Sequence, residues 1–181
     1  RMCACRGTAG FAHVSCLMEQ AKILMDEVEE NNLDDRALEK RWERWHKCGQ
    51  CEQNYHGIVA CALGWACWKT YLGRPEKHYL RINAMQDLGN GLSAGKHHED
   101  ALTVYEAELS LYRRLDAPEA HLLTAQGNLA SAYQMLGRVD EALPLLRDVY
   151  SGTLRLNGEE KEETLTAAVN YASSLGHMKH Y

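Results

Sequence analysis

Apolar positions along this chain recur mostly at intervals of three and four, the spacing that gathers side chains on one face of a helix. Ala101, Leu102, Tyr105, Leu109 and Tyr112 follow it closely. "LMEQAKILMDEVEENN" (17–32) reads as one helix and "DDRALEKRWERWHK" (34–47) as a second. Asp34 or Asp35 can cap the second, with acids at its start and bases at its end, as the helix dipole favours. Trp42 and Trp45, three apart, share a face and are expected to pack on the cysteine-rich segment around them. The acidic run from Asp26 to Asp35 reads as a solvated turn. The run "HGIVACALGWACWKTYLG" (56–73) predicts a helix ending at Gly73, with Pro75 beyond it.

The pattern then repeats. Shifting "NLASAYQMLGRVDEAL" (128–143) back by 41 residues sets Ala142-Leu143 on Ala101-Leu102, and Tyr133 on Leu92. Shifting forward by 42 sets "LLTAQGNLASAY" on "TLTAAVNYASSL" (164–175). A fixed period of this length marks stacked helical units. Small residues such as Ala130, Ala142 and Ala172 would let paired helices approach. Gly137 is expected to end one helix and Pro118 to open another. Pro144 is tolerable in or near a first turn, where its missing N–H costs little. Leu72, Leu115 and Leu156 hold matching positions, so 57–75 reads as a bridging helix that leads into the repeats.

Composition narrows the function classes. The 181 residues are 45% hydrophobic, which suits one ordinary domain or two small ones. A formal net charge of -5 and no Lys/Arg run exclude a basic nucleic-acid footprint. The longest apolar stretch, "GIVACALGWACW" (57–68), is about half the ~20 residues that span a bilayer. No nucleophile–base pattern or phosphate loop stands out, so no catalytic residue is assigned.

Seven cysteines change the picture. Cys3, Cys5, Cys16, Cys48 and Cys51 fall within the first 51 residues, followed only by Cys61 and Cys67. A disulfide framework would need an oxidising compartment, and an odd count leaves a thiol over. Clustered thiolates with an imidazole at short spacing fit zinc. Cys61 and Cys67, on an apolar helical stretch, are expected to be buried thiols. His46 and His56 flank the last pair and are not expected to be ligands.

Read in order, C-x-C (Cys3, Cys5), H-x-x-C (His13, Cys16) and C-x-x-C (Cys48, Cys51) resemble the last six ligands of a RING-CH (RING-variant) zinc finger. "RG" after Cys5, Phe11 two before the histidine, Leu17 and Tyr55 add to the resemblance. It implies a cross-brace with two zincs. Cys3, Cys5, Cys48 and Cys51 would hold one. His13 and Cys16 would hold the other with a cysteine pair expected upstream of Arg1, where residues are expected to be missing. The resemblance further implies a surface for a ubiquitin-conjugating enzyme. Gln20 stands where the family usually has tryptophan, and the insert between Cys16 and Cys48 is long, at 31 residues.

The stretch 128–143 is similar to the tetratricopeptide pattern N-L-A-x-x-Y-x-x-x-G-x-x-x-E-A-L. Its long period, Pro144 and the linker "RLNGEEKEET" (155–164) resemble the repeats of kinesin light chains. That resemblance implies partner binding, with Asn128 and Asn170 where a side chain often clamps a peptide backbone, and Asp87 as the equivalent in the first repeat. The expected architecture is therefore mainly α. A zinc-stabilised finger (1–56) with a helical insert leads through a bridging helix (57–75) to an α-solenoid of repeats (76–181). The expected function is zinc binding and protein–protein interaction, as an E3-type ubiquitin ligase adaptor whose repeats hold the substrate. The other reading is a non-catalytic zinc-stabilised scaffold. Either would work inside the cell, in the cytoplasm or the nucleus, where thiols stay reduced.

Overall fold

The computed structural model describes residues 13–178. Cys3, Cys5 and Phe11 lie outside the described residues. Eight α-helices account for most of the rest: α1 (Val14–Glu30), α2 (Asp35–Trp42), α3 (Gly57–Tyr71), α4 (Tyr79–Ala94), α5 (His98–Arg114), α6 (Glu119–Met135), α7 (Val139–Asn157) and α8 (Glu162–Met178). The chain divides into two compact units, with the boundary between His97 and His98. Among the described residues no helix is long and apolar enough to cross a membrane.

In the first unit, α1 buries Ala21, Met25 and Val28, spaced four and three apart. It ends where Asn31 donates its N–H to Glu27 O at 3.2 Å and Asn32 turns left-handed, with φ at 47°. Asp34 caps α2, its Oδ1 accepting the Ala37 N–H at 2.8 Å. The α-helix does not run on to Lys47 as its pattern predicts. It stops at Trp42, and Glu43–Trp45 tightens into a 3₁₀ turn. Three residues per turn align positions i and i+3, so the tightening keeps both tryptophans pointing inward.

Those tryptophans pack elsewhere than the sequence suggests. Trp42 and Trp45 join Ala21 and Met25 of α1, Cys67 and Tyr71 of α3, and Leu80 and Ala84 of α4 in one core. Their rings lie 5.3 and 6.3 Å from that of Tyr71, the second edge-on, within the range where aromatic pairs add to burial. The cysteine pair at 48–51 belongs to a separate small cluster described below. Cys67 is fully buried as expected, but Cys61 is only half-buried.

Helix α3 stops at Tyr71, two residues short of Gly73, and packs closely on α4. Glycines on both helices permit this. A Cβ on Gly64 would lie 2.7 Å from the Asp87 carbonyl oxygen, and one on Gly91 would lie 2.6 Å from that of Ala60.

The second unit is four helices, each packed on the next. α5 and α7 begin 41 residues apart, at 98 and 139, as the repeat predicts; α6 and α8 begin 43 apart, at 119 and 162. Pro118 is the N-cap of α6. The helix ends at Met135, and Gly137 takes a left-handed φ of 73° while Arg138 N–H bonds back to Tyr133 O. Pro144 departs from expectation. It sits in the second turn of α7, not its first, so the helix lacks the bond it would donate to Asp140 O.

Ala130, Ala142 and Leu146 form a core with Tyr133, Leu145 and Tyr171 packed around it. Ala172, expected to face a paired helix, is exposed. Polar links recur as well: Gln134 Nε2 donates to the buried Ser174 Oγ at 2.6 Å, and Thr164 Oγ1 to Thr153 O at 3.3 Å.

Candidate functional site

The expected zinc ligands that fall within the described residues come as two pairs. His13 is the N-cap of α1, and its carbonyl accepts the N–H groups of Cys16 and Leu17 at 3.0 and 3.2 Å. His13 and Cys16 are therefore three apart on one exposed helical turn. Cys48 and Cys51 are also three apart, in a single turn closed by Glu52 N–H on Cys48 O at 3.0 Å. Cys48 N–H in turn bonds Gln53 O at 2.9 Å, and Lys47 and Asn54 form an isolated β-bridge beneath the turn. Glu52, directly after the second cysteine, is left-handed with φ at 56°.

A small apolar cluster joins the two turns. Cys48, Tyr55, Val59 and Leu63 are buried, with Val14, Leu17 and Met18 of α1 packed against them. Tyr55, singled out in the sequence, thus belongs to the packing around the cysteine pair. Among the described residues no three His, Cys, Asp or Glu side chains converge. The implied ligand sets leave only two ligands of each zinc within 13–178, His13 and Cys16 for one and Cys48 and Cys51 for the other. An i,i+3 turn brings its two ends to the same side. The thiol and imidazole donors there are of the kind zinc takes. The two described pairs therefore suit zinc in donor type and in spacing. Gln20 is exposed on α1.

Each unit carries a recess lined by residues that the sequence singled out. In the second unit, a recess of about 620 Å³ opens among α6, α7 and α8. Asn170 lines it with Thr124, Thr153, Thr166, Glu162 and Glu163. Asn128 does not line it. That side chain is half-buried, with Nδ2 lacking a hydrogen-bond partner among the described residues. The structure therefore brings one of the two candidate asparagines to a concave surface.

In the first unit, a recess of about 520 Å³ lies between the 46–55 segment and α4. Asn83, Gln86, Asp87 and Asn90 line it from one face of α4, and His46, Asn54 and Tyr55 from the other side. Asp87 Oδ1 is 3.5 Å from His46 Nδ1. Its Oδ2 is buried with no hydrogen-bond partner among the described residues. The carboxylate's charge is felt nearby: burial first, and Asp87 second, push the Cys67 thiol well above its ordinary range. Lys47 also borders the recess, but its Nζ bonds Glu43 Oε1 at 2.6 Å. That bond holds the Glu43 carboxyl below the usual range. Sequence reasoning noted Asp87 and His46 separately and missed the recess. The legible signal was the polar stripe at 83, 86, 87 and 90, a helical spacing with no apolar member.

Comparison with known proteins bears on the repeats. The tetratricopeptide repeat family model matches residues 122–160. No curated protein sequence matches the chain. Among solved structures, one from Podosopora anserina, described as kinesin light chain nearly identical TPR-like repeats, is 21% identical with a TM-score of 0.54. The likeness covers 91% of this chain and 67% of that one. BtubC (BKLC) from P. vanneervenii is 14% identical with a TM-score of 0.63, covering 93% of this chain and 68% of its own. At these identities the likeness is one of fold, and it extends well ahead of residue 76. Residues 122–160 carry a tetratricopeptide repeat, and the fold around them is an all-helical repeat fold of the same kind, suited to protein–protein interaction.

Proposed function

We propose that this chain is a zinc-stabilised interaction adaptor of the ubiquitin-ligase type. In this reading Cys3, Cys5, Cys48 and Cys51 hold one zinc, and His13 and Cys16 hold part of a second site. A zinc with four protein ligands is closed, and it supplies folding free energy and no Lewis acidity. The observation that carries the reading is the pair of i,i+3 turns, at His13–Cys16 and Cys48–Cys51, built against one apolar cluster. The chain itself performs no covalent step. The finger binds a ubiquitin-conjugating enzyme, the repeats hold a substrate with Asn128 and Asn170 as candidate peptide contacts, and rate is gained from proximity and orientation.

A second reading keeps the zinc and the partner and drops the conjugating enzyme. Gln20, exposed on α1 in place of tryptophan, favours it. Ubiquitin discharge from a panel of charged conjugating enzymes separates the two, using protein extended upstream of Arg1 and a Cys48→Ser control. Zinc-dependent discharge supports the ligase. A folded, zinc-loaded protein that discharges none of them is a scaffold. Protein that carries no zinc by elemental analysis, and whose fold is indifferent to Cys48→Ser, refutes both.

A further inference from the structure

We propose that the recess between the 46–55 segment and α4 binds the guanidinium group of an arginine side chain carried by a partner polypeptide, with Asp87 as its counter-charge. Three features select a cation. Asp87 lines the recess with only 11% of its side chain exposed, and its Oδ2 has no hydrogen-bond partner among the described residues. A buried carboxylate oxygen left unmatched is costly, and a charge-assisted bond removes that cost. His46 Nδ1 faces the other oxygen, Oδ1, at 3.5 Å, and Lys47, which also borders the recess, is engaged by Glu43.

The surrounding groups select a guanidinium. Asn83, Gln86 and Asn54 line the same recess with side-chain amides, and a planar fork of five N–H donors can use several acceptors at once. A metal ion is poorly served, because no three ligating side chains converge there among the described residues. An anion would meet the charge of Asp87. A volume of about 520 Å³ exceeds what one side chain fills, leaving space for its flanking backbone.

The whole chain can be tested by calorimetry and by amide chemical shifts around Asp87. The probes are a capped five-residue peptide with one central arginine, the same peptide with citrulline, and agmatine as the free guanidinium. The arginine peptide is expected to bind, to weaken as salt is raised, and to lose about tenfold or more with citrulline, which keeps the shape and removes the charge. Asp87→Asn is expected to abolish the difference between the two peptides. Equal binding of arginine and citrulline peptides, or no binding of the arginine peptide, overturns the proposal. Agmatine binding as tightly as the peptide overturns the partner-segment half. Should Asp87→Asn fail to fold, the arginine–citrulline comparison on the unaltered chain decides. None of these outcomes depends on discharge of a conjugating enzyme, and every probe is compared on the chain as purified, so that the 46–55 segment is in the same metal state throughout.

Discussion

The two units reach helical packing by different means. The second, α5–α8, repeats one recipe: small residues such as Ala130 and Ala142 at the helix contacts, a turn glycine at 137, and modest polar links such as Gln134–Ser174. The first, α1–α4, keeps that spacing only in its second half, where α3 and α4 begin 41 and 40 residues before α5 and α6. It depends on two tryptophans and a tyrosine stacked into one core, on two glycines that let α3 and α4 touch, and on an eleven-residue connection, 46–56, that is neither helix nor strand apart from one bridge. A repeat spreads its stabilisation over many similar contacts, whereas an irregular unit concentrates it. The first unit should therefore respond more sharply to single changes.

Metal removal should separate them most. Structural zinc contributes ~10–16 kcal/mol of apparent binding free energy in small fingers at neutral pH. Stripping the metal with a strong chelator should release the amides of 46–56 and the first turn of α1 to hydrogen exchange, leaving α6 and α7 protected. Unchanged exchange at 46–56 would remove the proposed metal from the contrast. Trp45→Ala comes next. Its ring is 1% exposed and fully enclosed, so ~3–5 kcal/mol should be lost, visible as a lower urea midpoint in tryptophan fluorescence. A loss as small as that of a surface residue would show that the aromatic core does not carry the unit.

Smaller effects refine the comparison. Gly91→Ala sets a methyl against the Ala60 backbone, and ~1–3 kcal/mol of overpacking is expected. Gly152→Ala in α7 meets only the movable Leu123 side chain, at 2.6 Å, so thermal melts should show a smaller loss than at Gly91. The reverse order would mean that α3 and α4 separate easily. Asp34→Ala removes the α2 cap and should cost ~1 kcal/mol, measured by chemical denaturation.

Much of α5–α7 was legible because α5 keeps its apolar residues on one face and the two ends of α6 carry Pro118 and Gly137. The end of α2 was not. "EKRWERWHK" keeps a helical rhythm to its last residue, and only the need to bury Trp42 and Trp45 together draws 43–45 into a tighter turn. The close approach of α3 and α4 was hidden for a related reason. A glycine within a helical run reads as a weakness of that helix, and its use appears only when the opposing carbonyl is in place. Asp87 was visible as a repeat position, but not as a buried acceptor, because that property belongs equally to His46 and the turn that carries it.

The paired glycines have a consequence beyond stability. Gly91 and Ala60, the partners in that backbone contact, both border the recess that holds Asp87. The width of the opening is thus gauged by two absent methyl groups rather than by any group a ligand would touch. Selectivity for the size of an incoming side chain can change through residues that never meet it.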